Sequence, residues 1–592
     1  MKKFFFNVLS TFTGIVLFVV VVVVLGLMSV VGMVAASDTV KEVDDNSVLV
    51  LKLKGTIEEY KQKDDTFDKL LGGGTDAMAY LNELTAAIDK AKDDKHVKGI
   101  FIEAGAVDAG YATLQELRSH LEAFKKSGKW IVAYGDDYTQ RDYYVASVAN
   151  KVFINPEGSV DWRGIGAQPM FIKDLAAKAG IKFSVVKVGT FKSATEPYTE
   201  EHMSEASRLQ TKAYIDGIWS SVCKAVSASR GISVDSLNAY ADGFVGLEGT
   251  GALKKRKMVD ATVYERQMRA EINKLLKAEA DEKVKKISVA DMLATKDKPA
   301  KGKQIAVYYA SGSIVQDNES SLYNIESCIA ATKMCRDLEK LMDDDDVAAV
   351  VLRINSGGGS AYASEQIWDQ VCQLKSKKPV VVSMGDYAAS GAYYISAPAS
   401  WVVAQPNTLT GSIGIFGLIP DMSGLFTGKL GIKYDEVKTN RNSTFGNLQA
   451  RSLNAEELAA LQAHVNRGYV LFRKRVCDGR KLRVEDVEKI AQGRVWLGSD
   501  ALGLKLVNQL GGLDDAVKKA AELAKAKDYY TEAYPSMSPM FESILSDLDG
   551  DTYMQNKTRA MLGELYEPFV MIMQMRDCDR VQARMPFDFQ LY

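Results

Sequence analysis

The chain has 592 residues, 47% of them hydrophobic and 25% charged, with a net charge of −2. That is the composition of ordinary globular protein, spread over more length than one small core can organise, so roughly two to four domains are expected. The near-neutral charge removes any electrostatic reason to expect nucleic acid as a partner. Six cysteines, Cys223, Cys328, Cys335, Cys372, Cys477 and Cys578, are scattered without a C-x-x-C pair. Free, buried thiols are therefore expected in place of a disulfide framework or zinc site. The four histidines, His96, His120, His202 and His464, stand apart from one another and from any cysteine cluster, so neither a metal nor a cofactor is expected.

In chain order, residues 1–13 form a short basic end opened by Lys2 and Lys3, and residues 14–36 are apolar throughout except for Ser29. About 23 such residues suffice to cross a hydrocarbon core of ~30 Å. A cleaved signal peptide competes with a retained transmembrane anchor, because Val34-Ala35-Ala36 resembles a small-residue cleavage site. The apolar run exceeds the usual roughly 7–15 residues of a signal-peptide core, which favours the anchor. Lysines before the span and Asp38, Glu42, Asp44 and Asp45 after it place the N-terminus in the cytoplasm and the bulk beyond the membrane.

From Ser47 onward strands alternate with helices: strands at 48–53, 97–103 and 130–134, helices at 77–91 and 112–126. That order predicts parallel α/β units. The same plan returns at 305–309, 330–342, 347–354, 363–375 and 380–383. Without gaps, the two copies align at an offset of 250, the difference between Gly385 and Gly135. Asp93-Asp94 then falls on Asp343-Asp344, Tyr143-Tyr144 on Tyr393-Tyr394, Pro156 on Pro406 and Gly164 on Gly414. So many coincidences in one register indicate a duplicated domain. The copies are expected at 47–295 and 304–540, joined by charge-rich sequence with a helix over 264–286. The tail, 541–592, is assigned to packing or an oligomer contact.

The copies differ where chemistry would sit. In the second, an apolar run from Val380 leads into Gly385-Asp386-Tyr387-Ala388-Ala389-Ser390-Gly391, which sets Ser390 at a helix start with its own and the next N–H free. Read alone, Ser390 is better explained as a helix cap. The first copy has Gln140 there, and Gly105-Ala106-Val107-Asp108-Ala109 in place of Asn355-Ser356-Gly357-Gly358-Gly359. It carries instead Val188-Gly189-Thr190-Phe191-Lys192-Ser193-Ala194, whose lysine falls on Ser443 at the offset of 251 set by the shared Gly-Ile-Lys at 180–182 and 431–433. Each half lacks what the other supplies, which predicts one composite site. A serine hydroxyl needs a base within hydrogen-bond reach, and no histidine stands near these motifs. Lys192 can fill that role only as a neutral amine, its pKa lowered by burial or by nearby positive charge. Gly358 and Gly359, with the N–H of Gly391, suit the donors a developing oxyanion requires, although the glycines alone also suit a tight strand-to-helix turn.

These segments, with Leu409-Thr410-Gly411-Ser412-Ile413-Gly414, resemble the bacterial signal peptide peptidase A (protease IV) family in its double-length form. The resemblance covers nearly the whole chain. It implies a crotonase and Clp-protease-like fold in each half and a Ser390/Lys192 dyad built across them. It further implies that Ser412 orients the lysine amine, that the chain forms a membrane-anchored homotetramer shaped like a bowl, and that it degrades signal peptides left in the membrane. The expected location is the bacterial inner membrane, catalytic part on the periplasmic side. One departure stands out: Gly357 occupies the place of the family's usual proline. Two other readings use the same residues differently. Acyl-CoA chemistry on a crotonase fold needs neither Ser390 nor Lys192, and a membrane-tethered scaffold with a decayed site would not keep both.

Overall fold

The computed structural model describes residues 40–60, 78–296, 299–317, 328–535 and 582–585, together with Gly14. The apolar span at 14–36 and most of the 541–592 tail lie outside the described residues. Among the described residues no helix is long and apolar enough to cross a membrane.

The first copy builds a parallel sheet in the order Met78–Tyr80, Ser47–Glu58, Val97–Asp108, Trp130–Gly135, Lys151–Ile154, Ala261–Thr262. Its inner strands are apolar on both faces: Leu49, Ile100 and Ile131 on one and Val48, Phe101 and Val132 on the other are all buried. Such runs belong to sheets covered on both sides by helices. The helix Tyr111–Lys126 turns Leu114, Leu117, Leu121 and Phe124 inward at helical spacing. Each such side chain, once fully buried, contributes roughly 1.5–3 kcal/mol.

The second copy repeats the arrangement. Val347–Ser356 pairs in parallel with Lys303–Ser311 on one side and Val380–Ala389 on the other. Helix Ala361–Lys377 buries Ile367, Val371 and Leu374 against it. The strand expected at 380–383 runs on to Ala389, because its end finds a further parallel partner in Leu409–Gly411. The connecting sequence differs from expectation: its helix spans only Met268–Leu276. Lys277 turns left-handed at φ +57°, and the Asn273 side chain donates to the carbonyls of Glu279, Ala280 and Glu282, which closes the helix early. Of the cysteines among the described residues all are free, but only Cys223 is buried.

A third sheet joins the halves. In it Lys182–Val188 of the first copy runs antiparallel to Ile415–Asp421 of the second, from Val188 opposite Ile415 to Lys182 opposite Asp421. The same sheet carries Gly358–Ser360 and, between that strand and Ile415–Asp421, the short C-terminal strand Gln582–Arg584. Polar ties cross the same boundary. Fully buried Arg353 donates to Glu59 at 2.8 and 3.1 Å and to Glu116 at 2.8 Å. Asp386 accepts from the Ala112 and Thr113 N–H groups at 2.9 and 3.0 Å, across the N-terminus of the helix that carries Glu116.

Candidate active site

Ser390 sits at the junction of the strand Val380–Ala389 and the short helix Gly391–Ser396, with φ +55° and ψ −115°. Only glycine adopts that region without strain, and a side chain held there stores roughly 1–3 kcal/mol. The strand on one side and the buried Ala392, Tyr393 and Tyr394 on the other hold it in place, with Tyr393 donating to the Leu506 carbonyl at 2.9 Å. The N–H of Ser390 is not free, contrary to the expectation from sequence: it donates to the Gly411 carbonyl at 2.8 Å, which fixes the turn.

Lys192 reaches this serine from the other half of the chain. Its Nζ lies 2.7 Å from Ser390 Oγ, 3.0 Å from Ser412 Oγ and 3.1 Å from the Ser412 carbonyl oxygen. All three residues are fully buried. No carboxylate is among these partners, and burial holds the amine well below the ordinary lysine pKa. The loop bearing Lys192 is docked onto the second copy by its backbone. Phe191 N–H donates to the Gln492 carbonyl at 2.8 Å. Gly189, at φ +117°, and Gly493, at φ +77°, permit the close approach; a Cβ on Gly493 would lie 2.7 Å from that of Lys192. Gln210 completes the attachment. It donates to the Phe191 carbonyl and Ser193 Oγ, both at 3.0 Å, and accepts from Val495 N–H at 3.2 Å. Nothing in the local sequence marks this glutamine, which lies inside the long helix Glu205–Arg230.

The glycine run faces the serine from the other side. Gly358, at φ +100°, could not carry a side chain: a Cβ there would stand 2.7 Å from the Gly391 nitrogen. Its own N–H donates to Ser356 Oγ at 3.1 Å, so of the two expected donors Gly358 is engaged elsewhere. The Gly359 nitrogen lies 3.3 Å from where a Cβ on Gly391 would be, which brings the Gly359 and Gly391 amides to one small space.

The first copy is closed at the equivalent place. Gln140 Oε1 accepts from Gly164 N–H at 3.0 Å, and the Asp142 carboxylate accepts from the Ala106 and Val107 N–H groups at 3.1 Å each. A fixed carboxylate occupies those amides, so no second anion can use them. Ser443, aligned with Lys192, is exposed in a turn and bonded to Asn440. His120 proves less isolated than the sequence implied: it meets Asp89 at 2.9 Å, with Asp514 alongside.

The model of "Peptidase family S49" matches residues 123–279 and 372–527, two segments whose starts differ by 249 (372 − 123). Protease 4 of Salmonella typhi is 36% identical over 507 residues, which cover 84% of this chain and 80% of that protein. Protease 4 of Haemophilus influenzae is 32% identical over 543 residues, 89% of this chain and 87% of that one. The chloroplastic serine protease SPPA of Arabidopsis thaliana is 28% identical over 534 residues, 89% of this chain and 77% of that one. With the family matched in both copies and these relatives aligned across most of its length, the chain belongs to peptidase family S49 in its double-length form and is a serine-type peptidase.

Proposed function

We propose that this peptidase is a membrane-anchored serine endopeptidase that degrades cleaved signal peptides and similar apolar peptides through a Ser390/Lys192 dyad. The observation that carries the reading is the 2.7 Å approach of a fully buried, carboxylate-free lysine amine to a serine hydroxyl held on a strained turn. A neutral amine in that position takes the hydroxyl proton as Ser390 Oγ adds to the scissile carbonyl. The oxyanion is received by the Gly391 and Gly359 amides, while Gly358 leaves room for it. Lys192 then protonates the leaving amine, and water, deprotonated by the same lysine, releases the acyl group. Ser412 holds the amine in line through two oxygens.

Each half, on this reading, takes the crotonase and Clp-protease type of fold, which the parallel sheets with covering helices support. The apolar residues 14–36 supply the anchor, with the two copies on the periplasmic side of a bacterial inner membrane, where spent signal peptides lie in the bilayer. Assembly into a homotetramer is supported by exposed apolar side chains along one irregular stretch, Leu430, Ile432, Tyr434, Val437 and Phe445, which an isolated chain would leave in water.

Labelling with a serine-reactive phosphonate followed by intact-mass measurement tests the dyad. A single adduct on Ser390, absent from both Ser390→Ala and Lys192→Ala, is expected. An adduct unchanged in Lys192→Ala would mean another base, and no adduct on folded protein would end the peptidase mechanism proposed.

A further inference from the structure

We propose that Gln210 is a positioning residue for the peptidase reaction: it clamps the loop that carries Lys192 to the strand pair that holds Ser390, and so keeps the amine dry and in line. The inference rests on the dyad reading above. Lys192 and Ser390 belong to different copies, so the distance between them is set by contacts across the boundary. Gln210 makes such contacts on both sides of it.

On the lysine side, Gln210 Nε2 donates to the residues immediately before and after the base, the Phe191 carbonyl and Ser193 Oγ, both at 3.0 Å. On the serine side, Gln210 Oε1 accepts from Val495 N–H at 3.2 Å. Val495 opens the short strand Val495–Leu497, which runs antiparallel to Leu409–Gly411 with Val495 opposite Gly411. The Gly411 carbonyl is the group that accepts from Ser390 N–H at 2.8 Å. One residue before Val495, the Arg494 carbonyl accepts at 2.7 Å from the N–H of Ser412, whose hydroxyl meets the lysine amine. A single side-chain amide thus ties the base loop to the strand pair that holds both serines.

The support behind this amide is rigid. Gln210 is 2% exposed and bonded at both ends of its amide. Its helix Glu205–Arg230 is packed down by buried Tyr214, Ile218, Val222 and Val226. In such an interior each unmade bond costs the desolvation of the group that loses it, so the clamp resists opening. The Arg494 guanidinium covers the loop from outside, 5.2 Å from the centre of the Phe191 ring and 4.0 Å from that of Trp496. Releasing the clamp lets the loop lift and water reach Lys192 Nζ. A hydrated amine holds its proton more tightly, so the base is lost near neutral pH although no reacting group has been removed.

The test follows kcat and KM against pH for wild type, Gln210→Met and Gln210→Glu on an unstructured leucine- and alanine-rich peptide with a fluorescent reporter. Phosphonate labelling counts the active sites, so that rates refer to folded enzyme. Gln210→Met keeps the length of the side chain and loses all three bonds. It should lower kcat at neutral pH by roughly 10–100-fold and leave KM within about threefold. The rise of its pH–rate profile should move up by about one unit, so that most of the loss is recovered at high pH. Gln210→Glu keeps the bond from Val495 but sets a carboxylate beside the lysine loop, which favours the ammonium, and its profile should move in the same direction. Rates per labelled site unchanged at every pH, a profile that stays in place, or a rise in KM with kcat unchanged would each overturn the proposal and leave the peptidase reading standing. Wild type that neither cuts the peptide nor takes the label fails that reading, and the proposal with it.

Discussion

A lysine ammonium sealed from water needs a counter-charge, and the three oxygens around Lys192 Nζ carry none. Burial thus favours the neutral amine, which is the form a base requires. Activity should accordingly rise with pH through an ionisation well below 10.5, and Lys192→Arg, whose guanidinium stays protonated, should be inactive at every pH. The same burial acts on stability. In the interval between the lowered folded pKa and the unfolded value of about 10.4, the unfolded chain holds a proton that the folded chain does not. Stability relative to Lys192→Met should thus be highest above that interval and fall by roughly 1.4 kcal/mol per pH unit as pH drops through it. Denaturant titrations across pH check the slope. Ser390 and Lys192 were legible because their motifs are local and one copy lacks what the other has. Gln210 was not, because its acceptor role toward Val495 spans 285 positions and leaves no trace in neighbouring residues.

Two adjacent glycines should behave oppositely. A methyl group at Gly358 meets the Ala583 oxygen, the Gly391 nitrogen and the Ala389 oxygen within 3.0 Å and also strains a φ of +100°, so Gly358→Ala should displace the Gly391 amide and lower peptide cleavage at least ~10²-fold, the typical loss of one oxyanion donor. At Gly357 a Cβ meets only Met585, at 3.5 Å, so restoring proline there should change the rate by less than ~10-fold. Steady-state rates on one peptide, with circular dichroism to confirm folding, decide both. Most elements were readable from periodicity, since buried β-branched runs and helical spacing leave little choice. The exceptions share a cause. The Val380–Ala389 strand outran its apolar run because Leu409–Gly411 pairs with its end, and Gln582–Arg584 became a strand although three residues alternating polar and apolar are too few to mark one. In both, a partner far along the chain decided the conformation.

At the scale of the molecule, the docking of the copies rests on charges that could not be paired from sequence: Arg353 lies 294 positions from Glu59 and 237 from Glu116. The duplication itself showed as a register of 250, but a register says nothing of which faces meet. Arg353→Met removes the cation from two buried carboxylates, of which Glu116 keeps the Leu513 N–H, and should destabilise the protein by about 3–5 kcal/mol in denaturant titration, and adding Glu59→Gln and Glu116→Gln should recover part of that loss. Lys192 and Ser390, brought together where the copies meet, lie 198 positions apart in the chain. A ribosome adding roughly 5–20 residues per second takes about 10–40 s to travel between them. On the proposed dyad, the newborn polypeptide holds a base without a nucleophile throughout that interval, so translation itself acts as a timer that keeps the protease silent until both halves exist.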